Sequence, residues 1–398
     1  MARELLIMLY LFVFKIQFNL CKMLPLQSKV TFVVSFGENN KFIYEEMKRQ
    51  GITDDVVFLC KGSCKKDFEA RGSHVIDFET LNLLDMWRGI YHLATSRTVF
   101  VDNYYGFLSV TDFKEDVQCI QIWHAAGAIK KFGLEDAAAS GRSKKAQERF
   151  LRVYKKFDKI VVGSDALANV FMKAFNISAG NVVKTGIPRT DLFFDKNAAR
   201  EIAAGLAINS KIMKEKKVIL YAPTFRDTEL SAFNLKLDLD LMQKELGEDY
   251  VLFLKVHPAV KTKLNYEQEF PGFVYDYSDY GNINELLLIT DILITDYSSI
   301  PYEFALLNRP MIFFPYDLED YKKERGLWDD YESLVPGPVV YTTGDIVDKI
   351  KKQAFDLSQI EAFSGKWNQY SKGHSSENLV GLLFKDHISI EEQQSRAL

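Results

Sequence analysis

The sequence predicts an α/β protein built from two doubly wound domains that face each other across a cleft. Short apolar runs rich in β-branched residues alternate with helical stretches along the chain, which indicates parallel sheets with helices on both faces. These runs form two sets, and the polar, alanine-rich stretch 193–215 separates them. With 398 residues, 47% of them hydrophobic and 26% charged, the chain has the size and composition of about two to three globular domains.

The candidate strands define the domain limits. The first set lies at 30–36, 55–60, 98–103, 119–125 and 159–164, and the second at 216–225, 250–258, 291–299 and 310–314. We therefore predict an N-terminal helix over 1–27, a doubly wound domain over 28–192, a second one over 193–364, and a helical segment over 365–398 that could pack back on the first domain. Ligands of open parallel sheets bind beyond the carboxyl ends of the strands, so polar residues there are candidate site residues.

The N-terminal residues predict an amphipathic helix that lies at a membrane surface. Residues 5–14 are uninterruptedly apolar, and polar and apolar residues then mix as far as Met23. The apolar run is about half the roughly 20 residues that a membrane span needs, and no small-residue cleavage site marks a signal peptide. A surface helix fits this pattern. The alternative is that the helix packs on the core of the protein itself.

Charge and cysteine content argue against several classes of protein. A net charge of −4 does not suit a general nucleic-acid binder. The stretch 130–159 holds ten Lys or Arg against four Asp or Glu. Such a stretch is usually a solvated helix face, but near a membrane-bound N-terminus it could equally contact anionic headgroups or a lipid diphosphate. Four scattered cysteines form neither a disulfide framework nor a zinc site, and they favour a reducing, cytoplasmic compartment.

Two histidines stand at the ends of candidate strands. His124 follows an apolar run and precedes small residues, and His257 follows another apolar run and precedes Pro258. A lone histidine in such a place is more often structural than catalytic. Because these two lie one in each domain, both at the carboxyl end of a strand, we predict that both face the cleft and take part in catalysis.

The strand that begins at 291 ends in an unusually polar turn. Asp296, Tyr297, Ser298 and Ser299 follow it, and a helix starts directly afterwards at Pro301. The unpaired N–H groups of a helix start, with two serine hydroxyls beside them, form an anion site that suits phosphate. The alternative is that the serines only cap the helix.

Two further stretches offer partners for phosphate. Thr224 and Arg226 end the strand that begins at 216, and Arg325 lies in a loop. A planar guanidinium matches phosphate oxygens, although an ordinary surface arginine is an equal alternative. The turn at 185–191 indicates a hinge more than a reactive site. The sequence has no dinucleotide-binding fingerprint, no P-loop and no nucleophile elbow, which argues against the enzyme classes that use them.

Eight motifs occur in order between about residues 28 and 376: "WHAAGAIKKFGLED", "GSDALANVF", "TGIPRTD", "VILYAPTFRD", "LFLKVHP", "DILITDYSSIPYEFALLNRPMIFFPYDLEDY", "RGLWDDY" and "PGPVV". Together they resemble the CDP-glycerol glycerophosphotransferase family of Gram-positive wall teichoic acid synthesis. The resemblance implies a GT-B fold. It also implies transfer of glycerol phosphate from CDP-glycerol to N-acetylmannosaminyl-N-acetylglucosaminyl diphospho-undecaprenol, with release of CMP, at the cytoplasmic face of the cell membrane. No cofactor and no metal ion is expected. Other enzymes of teichoic acid synthesis are candidate partners, and nucleic acid is not.

The same resemblance implies roles for individual residues. Ser298 and Ser299 would bind the donor diphosphate, and Glu303 would bind the ribose hydroxyls. His124 would be the general base for the acceptor hydroxyl and His257 would steady the diphosphate, although these two roles could be exchanged. The other donor-side candidates are Thr224, Arg226, Asp296 and Arg325, and the acceptor-side candidates are Gly127, Lys130 and Lys131.

Two features favour the family members that add a single glycerol phosphate over those that polymerise. His124 is followed by Ala125, Ala126 and Gly127, where the polymerising members resemble His-Gly, and the chain lacks the extra N-terminal region that those members often carry. The alternatives are a poly(glycerol phosphate) polymerase and a ribitol-phosphate transferase. A further alternative is a non-catalytic scaffold that binds CDP-alcohols or docks other enzymes at the membrane.

Overall fold

The computed structural model describes residues 2–62, 64–137, 141–205, 215–226, 235–256, 260 and 265–385. The chain divides into two compact units. The first unit comprises Met1–His124, Phe132–Asp191 and Tyr370–Leu398, and the second comprises Ala125–Lys131 and Leu192–Gln369. Each unit is built around one parallel sheet, so the predicted α/β class with two parallel sheets is confirmed.

The described residues of the first unit contain a seven-stranded parallel sheet in the order β3-β2-β1-β4-β5-β6-β7. The strands are β1 Gln27–Val34, β2 Asp55–Cys60, β3 His74–Asp77, β4 Ser96–Val101, β5 Gln118–Gln121, β6 Lys159–Val161 and β7 Val182–Val183. Strands β2 and β3 lie on one side of β1, and strands β4 to β7 lie on its other side. The order therefore reverses between β1 and β4, and in doubly wound sheets this is where ligands bind.

Helices cover both faces of this first sheet. On one face Phe32 stacks between Phe58 and Phe100, with ring centroids 5.0 and 4.8 Å apart, and Ile43 and Leu379 close the same core. On the opposite face the helix Leu83–Thr95 packs against β1. The helices of the unit are Ala2–Cys21, Glu38–Arg49, Cys64–Glu69, Leu83–Thr95, Lys144–Tyr154, Asp165–Phe175 and Ser375–Leu383.

The second unit repeats this design with five parallel strands among its described residues, in the order β10-β9-β8-β11-β12. The strands are β8 Lys217–Ala222, β9 Tyr250–Leu254, β10 Val274–Asp276, β11 Ile292–Thr295 and β12 Met311–Phe313. The helices are Lys196–Gly205, Leu239–Leu246, Tyr266–Glu269, Ile283–Ile289, Ile300–Phe304, Leu318–Arg325, Tyr331–Leu334, Thr343–Lys351 and Leu357–Trp367. Here the strand order reverses between β8 and β11, which directs attention to the loops that follow these two strands.

The N-terminal helix Ala2–Cys21 has two different faces. Phe14 and Phe18 are buried in the first unit, and the Phe14 ring stacks on Phe107 at 5.0 Å. On the opposite face Leu5 and Phe12 are 64% and 63% exposed. By length and hydropathy Arg3–Cys21 is also a candidate membrane span, although the apolar run in the sequence covers only part of it. Packing on the protein's own core therefore accounts for one face of the helix and leaves the other without a role.

The turn at 185–191 fastens the C-terminal return of the chain within the first unit. Asp191 accepts hydrogen bonds from the backbone N–H groups of Ser375 and Ser376, both at 2.8 Å, and so caps the last helix. Gly186 has a φ of +89°, and a Cβ there would lie 2.6 Å from the Tyr370 carbonyl oxygen. Only glycine fits this close crossing. The turn therefore has a structural role.

Candidate active site

An aspartate follows the fourth strand of each sheet, at the point where the strand order reverses. Asp102 comes directly after β4 and Asp296 directly after β11, and they are 1% and 2% exposed. Each carboxylate accepts hydrogen bonds from the loop that follows the first strand of its own sheet. Asp102 binds the N–H groups of 35–37, and Asp296 binds the N–H of Thr224 at 2.8 Å. The two units thus build their candidate sites on the same framework.

In the second unit, Arg226 bridges two carboxylates. Its Nε and Nη2 donate to Asp317 at 2.7 and 2.8 Å, and Nη2 also donates to Asp296 at 3.0 Å. A third donor, Nη1, bonds to the carbonyl oxygen of Thr224. The guanidinium is 8% exposed and lies about 5 Å from the ring centroids of Tyr297, Tyr316 and Tyr321. Most of its donors are therefore engaged within the protein, so the structure favours positioning over direct phosphate binding for Arg226.

The charges of this cluster support one another. Burial alone would lower the pKa of Arg226, but the hydrogen bonds that it donates to Asp317 and the charge of Asp296 raise it, so the guanidinium stays cationic. Burial raises the pKa of Asp296, and Arg226 opposes that rise. For Asp317 burial also acts upward, yet the contacts with Arg226 hold its pKa below the usual value. Asp317 was not predicted from the sequence, because its partner lies 91 residues away along the chain.

The two serines of the polar turn have different surroundings. The Ser298 hydroxyl accepts a hydrogen bond from the backbone N–H of Ile300 at 3.2 Å, as in helix capping. Ser299 occupies the cap position of Ile300–Phe304, and among the described residues its side chain makes no capping hydrogen bond. Both side chains are partly exposed. Capping therefore accounts for Ser298, while the Ser299 hydroxyl is placed for another partner. Glu303 is only 1% exposed, so a ribose would have to be buried to reach it.

The segment Ala125–Lys131 belongs to the second unit. Lys130 pairs with Leu327 in an antiparallel bridge, and the N–H of Lys131 donates to the Gly326 carbonyl at 3.2 Å. A Cβ on Gly127 would lie 2.1 Å from the ring of Tyr302, so only glycine lets the segment lie on that ring. The prediction placed Gly127, Lys130 and Lys131 on the acceptor side. The structure places them in the second unit, which also holds the predicted donor residues.

Lys130 adds a cation near the polar turn. Burial lowers its pKa, the charge of Asp296 opposes this, and Arg325 and Arg226 lower it further. Lys130 thus interacts electrostatically with Asp296, the residue that directly follows β11. Arg325 ends the helix Leu318–Arg325 with its side chain 41% exposed, which leaves it open to solvent. Lys130 and Arg325 are therefore better placed than Arg226 to meet an incoming phosphate.

In the first unit, His124 is held on three sides. Its Nδ1 lies 2.9 Å from the backbone carbonyl oxygen of Asp102. Its ring stacks on Phe36 at 4.0 Å and on Trp123 at 4.4 Å. Because a carbonyl oxygen can only accept, Nδ1 carries the proton of the neutral ring and Nε2 keeps its lone pair. Burial lowers the pKa of His124 to about 4, so the ring is neutral near pH 7.

A polar scaffold that was not predicted from the sequence holds the backbone before His124. Trp123 has a φ of +49°, a conformation that is rare for a bulky residue and is found at functional sites. Asn39 stabilises it by donating to the Trp123 carbonyl oxygen at 2.9 Å, and it accepts from the N–H of Arg189 at 3.0 Å. Asp102 ends a predicted strand, and that position was a signal that could have revealed it. His257 lies outside the described residues.

Comparisons with known proteins agree with the motifs. The model of the family "CDP-Glycerol:Poly(glycerophosphate) glycerophosphotransferase" matches residues 16–385. A teichoic acid glycerol-phosphate primase of Bacillus subtilis is 37% identical over 360 residues, which cover 90% of this chain and 92% of that protein. The teichoic acid poly(glycerol phosphate) polymerase of Bacillus subtilis is 30% identical over 391 residues, which cover 94% of this chain and 51% of that protein.

The wall teichoic acid polymerase TagF has a similar structure, with a TM-score of 0.79, 24% identity, and coverage of 98% of this chain and 99% of that chain. UDP-GlcNAc 2-epimerase from Neisseria meningitidis shares the fold more distantly, with a TM-score of 0.57, 16% identity, and coverage of 90% of this chain and 100% of that chain. The family model covers most of the chain, and the resemblance seen in the motifs is confirmed. The chain belongs to the CDP-glycerol:poly(glycerophosphate) glycerophosphotransferase family and is a transferase.

Proposed function

We propose that this enzyme transfers one glycerol phosphate from CDP-glycerol to N-acetylmannosaminyl-N-acetylglucosaminyl diphospho-undecaprenol, releases CMP, and so primes wall teichoic acid synthesis. Two relatives named teichoic acid glycerol-phosphate primase are 37% and 36% identical to the chain. Relatives named as polymerases of glycerol or ribitol phosphate are 30% to 33% identical. A TagF variant was also soaked with CDPG, which supports CDP-glycerol as the donor.

The observation that carries the proposal is the neutral His124 with its tautomer fixed. The Asp102 carbonyl holds the proton on Nδ1, so Nε2 can accept a proton from a sugar hydroxyl. The hydroxyl oxygen would then attack the glycerol-bearing phosphorus of CDP-glycerol. The bond from that phosphorus to the bridging oxygen breaks, and CMP leaves with the electron pair. Transfer requires the donor phosphorus to come within reach of the hydroxyl that this nitrogen deprotonates.

Donor binding is assigned to the end of β11 and the segment beside it. The Ser298 and Ser299 hydroxyls, Lys130 and Arg325 would bind the diphosphate, where negative charge accumulates as CMP leaves. Arg226 and Asp317 would hold Thr224 and Asp296 in place behind them. His257 keeps its proposed role beside the diphosphate, and Glu303 its proposed role at the ribose. Protein groups would thus stabilise the leaving phosphate without a metal ion.

We further propose that the enzyme works at the inner leaflet of the cell membrane. We use the term apolar face for the exposed apolar side chains of residues 5–24 and 81–87. They are fourteen of the twenty exposed large apolar residues of the described chain. The helices Ala2–Cys21 and Leu83–Thr95, which carry most of the apolar face, pack together. The basic helix Lys144–Tyr154 adjoins the helix Ala2–Cys21 through an ion pair of 3.2 Å between Arg149 and Glu4. Apolar area beside a basic helix suits an anionic bilayer.

The test is release of CMP from CDP-glycerol by the full chain, with and without a short-chain acceptor analogue. We expect release that depends on the acceptor, and a loss of about 10²- to 10⁴-fold in His124→Gln, because general base catalysis has that magnitude. Calorimetry should show unchanged affinity of this variant for CDP-glycerol. His374→Gln is the matched control, since that histidine is exposed and its Nδ1 contacts only the neighbouring Glu377 in the described structure. Full turnover by His124→Gln would refute the general-base role.

A further inference from the structure

The buried carboxylate of Asp102 accepts several hydrogen bonds, and the proposed reaction gives this carboxylate no role. Its Oδ1 accepts from the N–H of Ser35 at 2.9 Å, and its Oδ2 accepts from those of Phe36 and Gly37 at 2.9 and 3.1 Å. Asn40 Nδ2 donates at 3.0 Å and the Tyr105 hydroxyl at 2.8 Å. Five donor groups thus converge on one side chain that is 1% exposed.

This cradle lies where doubly wound proteins bind phosphate. The loop after the first strand and the start of the helix that follows present N–H groups toward an anion. In this unit β1 leads through 35–37 into the helix Glu38–Arg49, and the anion in the cradle is the protein's own carboxylate. The loop is therefore already fixed before any substrate arrives.

The same residue reaches His124 by two routes. The direct route is the carbonyl oxygen of Asp102, which lies 2.9 Å from His124 Nδ1. The indirect route runs from the carboxylate to the N–H of Phe36, whose ring stacks on His124 at 4.0 Å with an interplanar angle of 17°. One route sets which nitrogen carries the proton, and the other sets the plane of the ring. Phe36 is itself 52% exposed, and its backbone bond to Asp102 fixes the part of the loop from which its ring extends.

We propose that Asp102 is a positioning residue for the transfer reaction, holding His124 in one tautomer through its carbonyl oxygen and in one ring orientation through its carboxylate and Phe36. This inference rests on the proposed role of His124 as general base. Asp102 itself touches no substrate and exchanges no proton in the reaction. Its carboxylate acts through the loop at 35–37.

The first test replaces the carboxylate by an amide in Asp102→Asn. An amide nitrogen facing a cradle of donors cannot accept their hydrogen bonds, so the loop at 35–37 should loosen. We expect kcat to fall by about 10- to 100-fold, the range typical of losing a group that orients a reactive side chain, with the KM for CDP-glycerol unchanged. Asp158→Asn is the matched control. Asp158 also accepts a backbone N–H, from Cys119 at 2.8 Å, but at the start of β5. The control should keep the wild-type kcat.

A second test reads the histidine directly and does not depend on activity. In the full chain labelled with ¹⁵N-histidine, the His124 nitrogens should show one neutral tautomer with the proton on Nδ1. Both variants retain the backbone carbonyl at residue 102, but a ring that is no longer held in one plane should keep its bond to that carbonyl only part of the time. Asp102→Asn and Phe36→Ala should therefore both give averaged or broadened signals. Phe36→Ala removes an exposed ring, so it retains the fold and keeps the test informative if Asp102→Asn does not fold.

The two tests distinguish a failure of the positioning role of Asp102 from a failure of the general-base role of His124. A single unchanged Nδ1–H tautomer with narrow signals in both variants would overturn the positioning role, whatever their turnover. A kcat for Asp102→Asn equal to that of Asp158→Asn would also overturn it. If His124→Gln keeps full turnover, the general-base proposal fails, while the resonance result still decides whether Asp102 orders the ring.

Discussion

His124 combines two properties that a general base needs near neutral pH. Its Nε2 keeps a lone pair because Nδ1 is directed at the Asp102 carbonyl, and its ring is neutral because burial holds its pKa at about 4 in place of the ordinary 6.5. A base is lost when it is protonated, so activity should fall only as the pH drops toward 4. We therefore expect kcat/KM for the acceptor to stay flat from pH 7 to about pH 5.

A pH–rate profile with a soluble acceptor analogue directly measures this loss of activity at acid pH. The unfolded fraction at each pH has to be followed by circular dichroism, so that loss of structure is not counted as titration. An acid limb centred at the ordinary histidine value of 6.5 would show that the ring is not shielded as the structure indicates.

Ser298 and Ser299 should respond differently to substitution. Ser299→Ala should leave the free energy of unfolding unchanged, because its hydroxyl makes no capping bond within the described structure. It should raise the KM for CDP-glycerol, since a hydrogen bond to a charged phosphate is worth about 1.5–3 kcal/mol. Ser298→Ala should in addition lower the free energy of unfolding by about 0.5–2 kcal/mol, because it removes the acceptor of the Ile300 N–H.

Thermal unfolding and steady-state kinetics on the two single variants distinguish these effects. Ser358→Ala is a suitable control, because its hydroxyl donates to Asp356 at the start of another helix, away from the end of β11. A Ser299→Ala enzyme with the wild-type KM would return that serine to an ordinary turn residue.

The exposed apolar residues of the membrane proposal come from the N-terminal helix and from the segment 81–87, so the two elements should be tested together. Removal of residues 1–24 would also remove Phe14 and Phe18 from the core, and the truncated chain would be destabilised. Leu9→Glu with Phe12→Glu changes only side chains that are 59% and 63% exposed. Leu81→Glu with Leu83→Glu probes the second element in the same way.

Both pairs should release the enzyme from vesicles that contain anionic lipid, while turnover on a soluble acceptor persists. The residual binding should be more sensitive to salt than wild-type binding, because it is mainly electrostatic. Leu357→Glu, on an exposed site of the second unit, should leave vesicle binding intact. If both variant pairs bind vesicles as well as the wild-type enzyme does, the apolar face does not contribute to membrane binding.

Elements defined by local pattern could be predicted from the sequence, and those defined by distant contacts could not. The strand over 292–295 and its polar turn follow from apolar residues succeeded by serines and proline. The segment Ala125–Lys131 follows the first-domain strand β5 in sequence but lies in the second unit. Its partners Tyr302 and Leu327 are more than 170 residues further on, and no local signal points to them. The same holds for the Arg226–Asp317 pair.

Each of the two sheets reverses its strand order at an aspartate that binds the preceding loop. In the first sheet Asp102 fills the whole cradle, whereas in the second sheet Asp296 shares its loop with Arg226 and leaves the serine turn partly exposed. The sequence predicted two doubly wound sheets and polar strand ends, because both are set by local periodicity. The sequence did not predict which of the two loops keeps exposed polar groups. That difference depends on side-chain contacts between strands that are far apart in the chain.

We propose that this family member adds one glycerol phosphate to its acceptor and then stops. The most direct measurement is mass analysis of the lipid product after the full chain acts on a short-chain disaccharide diphospholipid with excess CDP-glycerol, and separately with CDP-ribitol. We expect a product heavier by one glycerol phosphate, one CMP released per acceptor, and no further growth of the product on longer incubation. A ladder of products, or transfer from CDP-ribitol in preference to CDP-glycerol, would contradict it.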